Sequence, residues 1–137
     1  MDDLVVGAAS SLAGLLAGVH FAFLVAFMPA LHDMDDDTFT RVMVRVCEVI
    51  VNPVFMAVFL GAPFLTALLL VWQRTPLTIV AAILGLLALV ITFAVHLPLN
   101  DALADGGTRQ AFETPWLTWH VIRTLTATAS FVAVLNA

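Results

Sequence analysis

The chain has 137 residues, of which 62% are hydrophobic and only 11% are charged, and its mean hydropathy is +1.06. Soluble domains are about 45–50% apolar and about 25% charged, so this composition excludes an ordinary soluble domain and indicates a chain embedded in lipid. The formal net charge is -5, and without a basic cluster we expect no nucleic-acid partner. We expect residues 1–137 to form a single domain.

The first two apolar segments each have the length and pattern of a long helix. The first runs over residues 4–29, near the ~20 residues with which a helix crosses a bilayer. The second runs over residues 38–72, and aspartates before Thr38 cap its start. Because Pro53 and Pro63 each remove a backbone donor, we expect them to bend this second helix.

The third and fourth apolar segments complete the predicted fold. They cover residues 77–97 and 115–136, and Pro115 suits the first turn of the fourth helix. A turn at Pro98–Asn100 and a glycine-containing loop separate the two segments. Short connections between long helices favour antiparallel neighbours. The sequence therefore predicts an all-α integral membrane protein that folds as an up-down-up-down four-helix bundle.

Polar residues that could take part in chemistry lie near one end of all four predicted helices. Because successive helices alternate in direction, these residues would share one half of the membrane. Ionisable groups in hydrocarbon cost roughly 2.5–3.5 kcal/mol each on insertion scales, so they tend to face the bundle interior. We therefore predict one shared site. Its members are His20, Arg41, Arg45, Glu48, Asn52, His96, Asn100, His120 and Arg123.

In the second helix the polar residues follow one helical face. Arg41, Arg45, Glu48 and Asn52 are spaced i, i+4, i+7, i+11. Glu48 is the one carboxylate within the predicted helices, so it is the predicted counter-ion of Arg45 in the same helix or of Arg123 across the bundle. The stripe also fits a helix extension that projects into water, and the sequence leaves both interpretations open.

The fourth helix carries a second such face. Trp116, Trp119, His120 and Arg123 are spaced i, i+3, i+4, i+7. The tryptophans fit either an interfacial aromatic belt or a platform for a flat substrate. Arg123 lies about two turns inside the predicted helix and stays charged, so we predict a buried partner for it, with Glu48 or Asn52 as the candidates.

Three runs of residues resemble the anthrone-oxygenase-like family, a group of small four-helix membrane proteins. The runs are Asn52-Pro53, Pro98-Leu99-Asn100-Asp101-Ala102-Leu103, and Trp116 with Trp119-His120 and Arg123-Thr124. The resemblance extends over nearly the whole chain. Members in polyketide pathways are taken to oxidise anthrones to anthraquinones with molecular oxygen and without an evident metal or flavin.

The resemblance implies site roles for Asn52, Asn100, Trp119 and Arg123. His120 stands where many members have asparagine. The reaction that the resemblance implies needs a base that deprotonates an acidic carbon and a cation or donor that holds the enolate oxygen.

The predicted site combines these requirements with the polar residues of the helices. His120 or His20 is the predicted base, and Arg123 is the predicted enolate clamp. The predicted substrate-binding residues are Glu48, Asn52, His96, Asn100, Trp116 and Trp119. The predicted partners are a lipophilic small-molecule substrate and molecular oxygen, with no cofactor.

Two other classes of function fit the same residues. His20, His96 and His120 could ligate a haem or another metal, since histidine is the commonest metal ligand. Alternatively, the polar face could bind a partner protein or a lipid headgroup without catalysis. The sequence leaves a homo-oligomer and a larger membrane complex open.

Membrane orientation is signalled by few charges. Arg74 lies in the loop on the side of both termini, and the opposite loops are acidic apart from Arg109. Under the positive-inside rule we expect a multi-pass protein of the bacterial cytoplasmic membrane with both termini in the cytoplasm.

Overall fold

The computed structural model describes residues 2–137, and over that range the chain is all-helical. Five continuous helices follow one another. Helix α1 comprises Asp2–Ala22, a π-helical turn Phe23–Phe27 and Met28–His32; α2 is Asp36–Val49; α3 comprises Pro53–Leu68 and a 3-10 turn Leu69–Val71; α4 comprises Pro76–Ile91, a π-helical turn Thr92–His96 and Leu97–Ala104; α5 is Arg109–Leu135.

The four long helices pack around a core rich in small side chains. Helix α1 contacts α3 and α5, and α4 contacts the same two helices. Ala9, Ala13, Ala62 and Ala81 are buried where these helices meet, and such small residues let helix backbones approach closely. Helix α2 lies across one end of this group, against the last part of α4 and against α5.

Three of the helices are long and apolar enough to cross a membrane, as expected for a membrane protein. These candidate spans are Asp3–His32, Pro53–Val71 and Pro76–Ala104. The fold is therefore all-helical with three candidate spans among the described residues, and α5 is not one of them.

The single second helix predicted over residues 38–72 is wrong, because the chain leaves the helical conformation at Asn52. Asn52 is extended, with φ -126° and ψ 160°, and its side-chain oxygen accepts a hydrogen bond from the Phe55 backbone N–H at 3.0 Å. A proline disfavours the helical conformation in the residue before it and suits the first helical turn. Asn52-Pro53 therefore ends one helix and begins another, whereas Pro63 stays inside α3.

The predicted ends of the first and third helices are also wrong, because both helices continue through a proline. Pro29 and Pro98 each come two residues after a π-helical turn, and each lies in the first turn of the α-helical segment that follows. A π turn changes the hydrogen-bond register of the backbone, which accommodates a residue without an N–H. Helix α4 thus runs to Ala104 in place of the predicted turn at Pro98–Asn100.

Helix α5, which corresponds to the fourth predicted helix, begins earlier than predicted. Its N-cap is Thr108, whose hydroxyl accepts a hydrogen bond from the Ala111 backbone N–H at 3.2 Å. Pro115, expected in the first turn, lies inside the helix. The loop before it is correspondingly short, and Gly106 adopts a left-handed conformation there, with φ 96°, which glycine adopts without steric cost.

Candidate active site

A cavity of about 220 Å³ lies between the five helices, beside the π-helical turn of α4. A single water needs only about 10–15 Å³ by the same measure, so the cavity is large enough for a small organic molecule. Most of its wall is apolar. The polar and ionisable side chains that line it are His20, Cys47, Thr92, His96, Asn100, Trp116, His120 and Arg123.

Arg123 is the charged group of this wall, and its side-chain partners are neutral. Its residue is 7% exposed. One terminal nitrogen donates to the Thr92 hydroxyl at 3.1 Å, and the other donates to Nδ1 of His120 at 2.7 Å. No carboxylate of residues 3–137 forms an ion pair with it.

The Arg123 guanidinium also has hydrogen-bond donors without a partner among the described residues. It carries five N–H groups, and two of them are used by Thr92 and His120. Its Nε is buried and has no hydrogen-bond partner among the described residues. A buried, uncompensated cation is costly, so the arrangement is suited to a ligand that brings the missing negative charge.

The two ring nitrogens of His120 have fixed roles. Arginine has no acceptor, so His120 Nδ1 must accept from Arg123, and the ring hydrogen is on Nε2. That Nε2–H donates to the backbone carbonyl of His20 at 2.9 Å. His120 is therefore a neutral bridge between α1 and Arg123, with no free lone pair to take a proton.

The other two histidines differ in how strongly their rings are held. His96 Nε2 donates to the Trp116 backbone carbonyl at 3.2 Å, and its Nδ1 is buried without a partner among residues 3–137. His20 is 4% exposed and lines the cavity, and its ring nitrogens make no hydrogen bond with a described residue. His20 therefore has both ring nitrogens free for a ligand, and His96 has Nδ1 free, whereas both nitrogens of His120 are engaged.

An aromatic cluster forms the wall beside Arg123. The Trp116 indole stacks on the His120 ring, with centroids 4.7 Å apart and planes 21° apart. His96 meets the same indole edge-on at 5.0 Å, and the Arg123 guanidinium lies 5.5 Å from its centre. The indole N–H donates to the Asn100 side-chain oxygen at 3.0 Å. Phe112 also stacks near the indole, with centroids 6.0 Å apart, so Trp116 is held in one orientation from several sides.

Three residues of the predicted site lie outside the cavity on α2. Arg41, Arg45 and Glu48 are exposed, and Arg45 pairs with Glu48 at 3.1 Å on the surface. The prediction that Glu48 or Asn52 is the partner of Arg123 is wrong. Helix α2 turns its apolar face inward, with Phe39 and Met43 fully buried, so its charged stripe faces away from Arg123.

Asn52 and Trp119 are also absent from the residues that line the cavity. The Asn52 side chain is occupied as the N-cap of α3, where it also donates to the Val49 carbonyl at 3.0 Å. Trp119 is 41% exposed on the outside of α5. The structure therefore brings together His20, His96 and Asn100 with Trp116, His120 and Arg123, and it separates the remaining predicted residues from them.

Thr92 is the site residue that sequence reasoning missed. It is the hydroxyl partner of Arg123, and its own hydroxyl donates to the Ala88 backbone carbonyl at 3.1 Å. A signal was available, because Thr92, His96 and Asn100 are spaced i, i+4, i+8, which is one helical face. Cys47 on α2 also lines the cavity, and no spacing pattern in the sequence points to it.

Fold and site together define a small helical protein with membrane-compatible helices and a buried arginine–histidine site in an apolar cavity. The model of the anthrone oxygenase family matches residues 39–133, and the chain belongs to this family. The resemblance found in the sequence is thereby confirmed. No curated protein and no solved structure matches the chain. The matched region holds α2 to α5 with Arg123, whereas His20 lies before it.

For a metal site, the described residues offer no preformed set of three or more ligands. Among residues 3–137, no group of three or more His, Cys, Asp or Glu side chains is placed to hold a metal ion. Both ring nitrogens of His120 are already engaged, and the Arg123 cation lies beside them. Three neutral imidazole nitrogens around one ion would require His120 to leave Arg123.

Proposed function

We propose that this protein oxidises a lipophilic, weakly acidic aromatic compound of the anthrone type with molecular oxygen, without a bound cofactor. The observation that carries the proposal is the buried Arg123, which lines a small-molecule cavity and has no carboxylate partner among the described residues. Membership of the anthrone oxygenase family supports the reaction class. When the substrate loses a proton, its oxygen becomes the negatively charged partner that Arg123 lacks.

The proposed setting is a membrane crossed by α1, α3, α4 and α5. Helix α5 is not a candidate span by composition, but four of its polar residues are buried: His120, Arg123, Thr124 and Ser130. Its exposed face over the same stretch carries apolar Leu125, Val132 and Leu135 together with the uncharged Thr118 and Thr128. A helix whose polar side chains face the interior is compatible with lipid on its outside. Helix α2, with charges on its outer face, then lies at the membrane surface.

The proposed reaction begins with proton transfer from the acidic carbon of the substrate to the His20 ring. The electron pair left behind moves onto the substrate oxygen, which Arg123 holds as an enolate. The enolate gives one electron to O₂, and the substrate radical and superoxide combine to form a carbon–oxygen bond. The resulting peroxide takes the proton back from His20, and the hydroperoxide then loses water, which carries away the second hydrogen of the carbon. One substrate and one O₂ then give one quinone and one water, so the CH₂ carbon loses four electrons and O₂ gains four.

His120 is proposed as a positioning residue. It accepts from Arg123 through Nδ1 and donates to the His20 carbonyl through Nε2. It therefore fixes the guanidinium relative to α1, which carries the proposed base. Trp116 lines the same cavity and is proposed to contact an aromatic ligand there.

The test is oxygen uptake by the purified protein in detergent with a panel of anthrones. We expect one O₂ consumed per quinone formed, in the presence of a chelator and with no added metal. The His20→Asn variant should lose turnover while it still binds a non-reactive quinone product. No uptake across the panel would contradict the reaction. Activity that a chelator abolishes would favour a metal site, and co-purification of a stable larger complex without activity would favour a non-catalytic subunit.

A further inference from the structure

The cavity has an outward-facing mouth where the chain breaks between α2 and α3. Three of the side chains that line the cavity are also exposed on the outside of the protein: Val51 is 64% exposed, Phe93 is 50% exposed and Leu97 is 37% exposed. Val51 lies in the break between α2 and α3, and the other two lie on α4. The mouth is therefore bounded by this break on one side and by α4 on the other.

The surroundings of this mouth are apolar. Val49 and Val54 flank the break and are 53% and 78% exposed. Glu48 comes directly before Val49, and its charge is paired at the surface with that of Arg45, at 3.1 Å. A contiguous exposed apolar patch of this kind marks contact with a membrane or a ligand.

We propose that the cavity opens sideways into the hydrocarbon of the bilayer, and that ligands reach Arg123 from the membrane through the mouth formed by Val51, Phe93 and Leu97. The chemistry of the mouth selects lipophilic molecules in their neutral form, because an anion would have to cross an apolar ring of side chains. An acidic ligand then loses its proton only after it has reached the arginine. The proposal depends on the membrane setting proposed above but not on any reaction.

Cys47 provides a built-in reporter of access to the cavity. It is the one cysteine of the chain, it lines the cavity, and it is partly buried. Burial raises the pKa of its thiol to about 11, so labelling is slow near neutrality and is best run at mildly alkaline pH. All five basic residues are arginine, so maleimides meet no lysine amine under those conditions.

The experiment measures Cys47 labelling in phosphatidylcholine vesicles by N-phenylmaleimide, which dissolves in lipid, and by a sulfonated maleimide, which does not. Each rate is divided by the rate of the same reagent with unfolded protein. We expect the lipophilic reagent to react severalfold faster than the charged one on this scale. Val51→Trp should slow it severalfold, and Val51→Ala should leave it unchanged or faster.

Val54→Trp is the matched control, because Val54 is on the same surface and does not line the cavity. It should label like the wild type. Equal normalised rates for the two maleimides would show that the cavity opens to water and would overturn the proposal. Equal slowing by Val51→Trp and Val54→Trp would place the mouth elsewhere. Because labelling needs no turnover, an inactive protein that labels as expected would overturn the oxidation and leave the mouth standing.

Discussion

Helix α5 carries two arginines whose surroundings are opposite in kind. Arg109 lies at the start of the helix and pairs with Glu113 at 2.7 Å and with Asp36 at 3.1 Å. It also donates to the backbone carbonyls of His32 and Met34, both at 2.8 Å. Its charge is matched, and its donors tie α5 to the end of α1 and to the loop that follows.

Arg123 lies 14 residues further along, about 21 Å at the helical rise of ~1.5 Å per residue. It has two neutral partners and no ion pair among the described residues. The comparison separates two uses of the same side chain. Arg109 satisfies its charge within the fold and holds helices together, whereas Arg123 has donors left for a ligand.

The largest effect should come from Arg123→Gln, which keeps a polar side chain and removes the charge. Loss of an oxyanion-stabilising donor lowers turnover by about 10²–10³-fold in other enzymes, and we expect a loss of at least that order in the oxygen-uptake assay. Arg123→Met should be as inactive, with a melting temperature close to that of the wild type, because removal of the uncompensated buried charge offsets the two lost hydrogen bonds. An active Arg123→Gln protein would remove the clamp from the mechanism.

The reverse pattern is expected for Arg109→Met. This change leaves Glu113 with His32 as its one remaining partner among the described residues, and it leaves two backbone carbonyls without their donor. The melting temperature in detergent should therefore fall clearly. Turnover per folded molecule should stay near that of the wild type. If Arg109→Met and Arg123→Met had the same effects on stability and activity, the distinction between the two arginines would fail.

A smaller effect should separate the two tryptophans of α5. Trp116→Phe loses the hydrogen bond to Asn100 and part of the stacking surface in the cavity. Aromatic stacking contributes about 0.5–1.5 kcal/mol, so we expect binding of a quinone product to weaken by a few-fold to about tenfold. Trp119→Phe, on the exposed side of the helix, is the matched control and should bind normally. Equal weakening in both variants would contradict the assignment of Trp116 to the site.

The smallest expected effect is a change of stability with pH that depends on Glu113. The hydrogen bond from Arg109 lowers the pKa of Glu113 in the folded protein, and His32 adds to this. A folded-state pKa below the unfolded value means that the stabilisation is full above the unfolded value, about 4.3 for glutamate, and is lost as the pH falls through the folded value. Glu113→Gln should therefore be less stable than the wild type near neutrality, and the difference should shrink in acid. A difference that is the same at all pH values would contradict the ionic contribution.

Much of the fold follows from the sequence, and the errors in the predicted helix bounds have local causes. The long apolar runs predicted the positions of four long helices, because hydrophobic length and periodicity dominate there. Prolines were the source of the mistakes. The sequence predicts helix ends at Pro29 and Pro98, but a π turn before each lets the helix continue. It predicts a bend at Pro53, but the Asn52 side chain caps a new helix at that point.

The sequence predicts most residues of the candidate site, but it does not predict which of them is the partner of Arg123. Deep polar residues such as His20 and Arg123 were found because ionisable groups are rare in apolar helices. Spacing alone could not show which side of α2 faces inward, so Glu48 was assigned to the site although it lies at the surface. Arg123 bonds to Thr92 of α4, whereas Glu48 pairs with Arg45 on the outer face of α2.

The central claim is that Arg123 is held in the cavity for the anionic oxygen of a ligand. The most direct measurement is the absorption spectrum of a nitrophenol bound to the protein, at a pH below the pKa of the free phenol. We predict that the wild type shows the yellow phenolate band on binding and that Arg123→Gln does not. Binding of the neutral phenol by both proteins, or an equal phenolate band in Arg123→Gln, would contradict the claim.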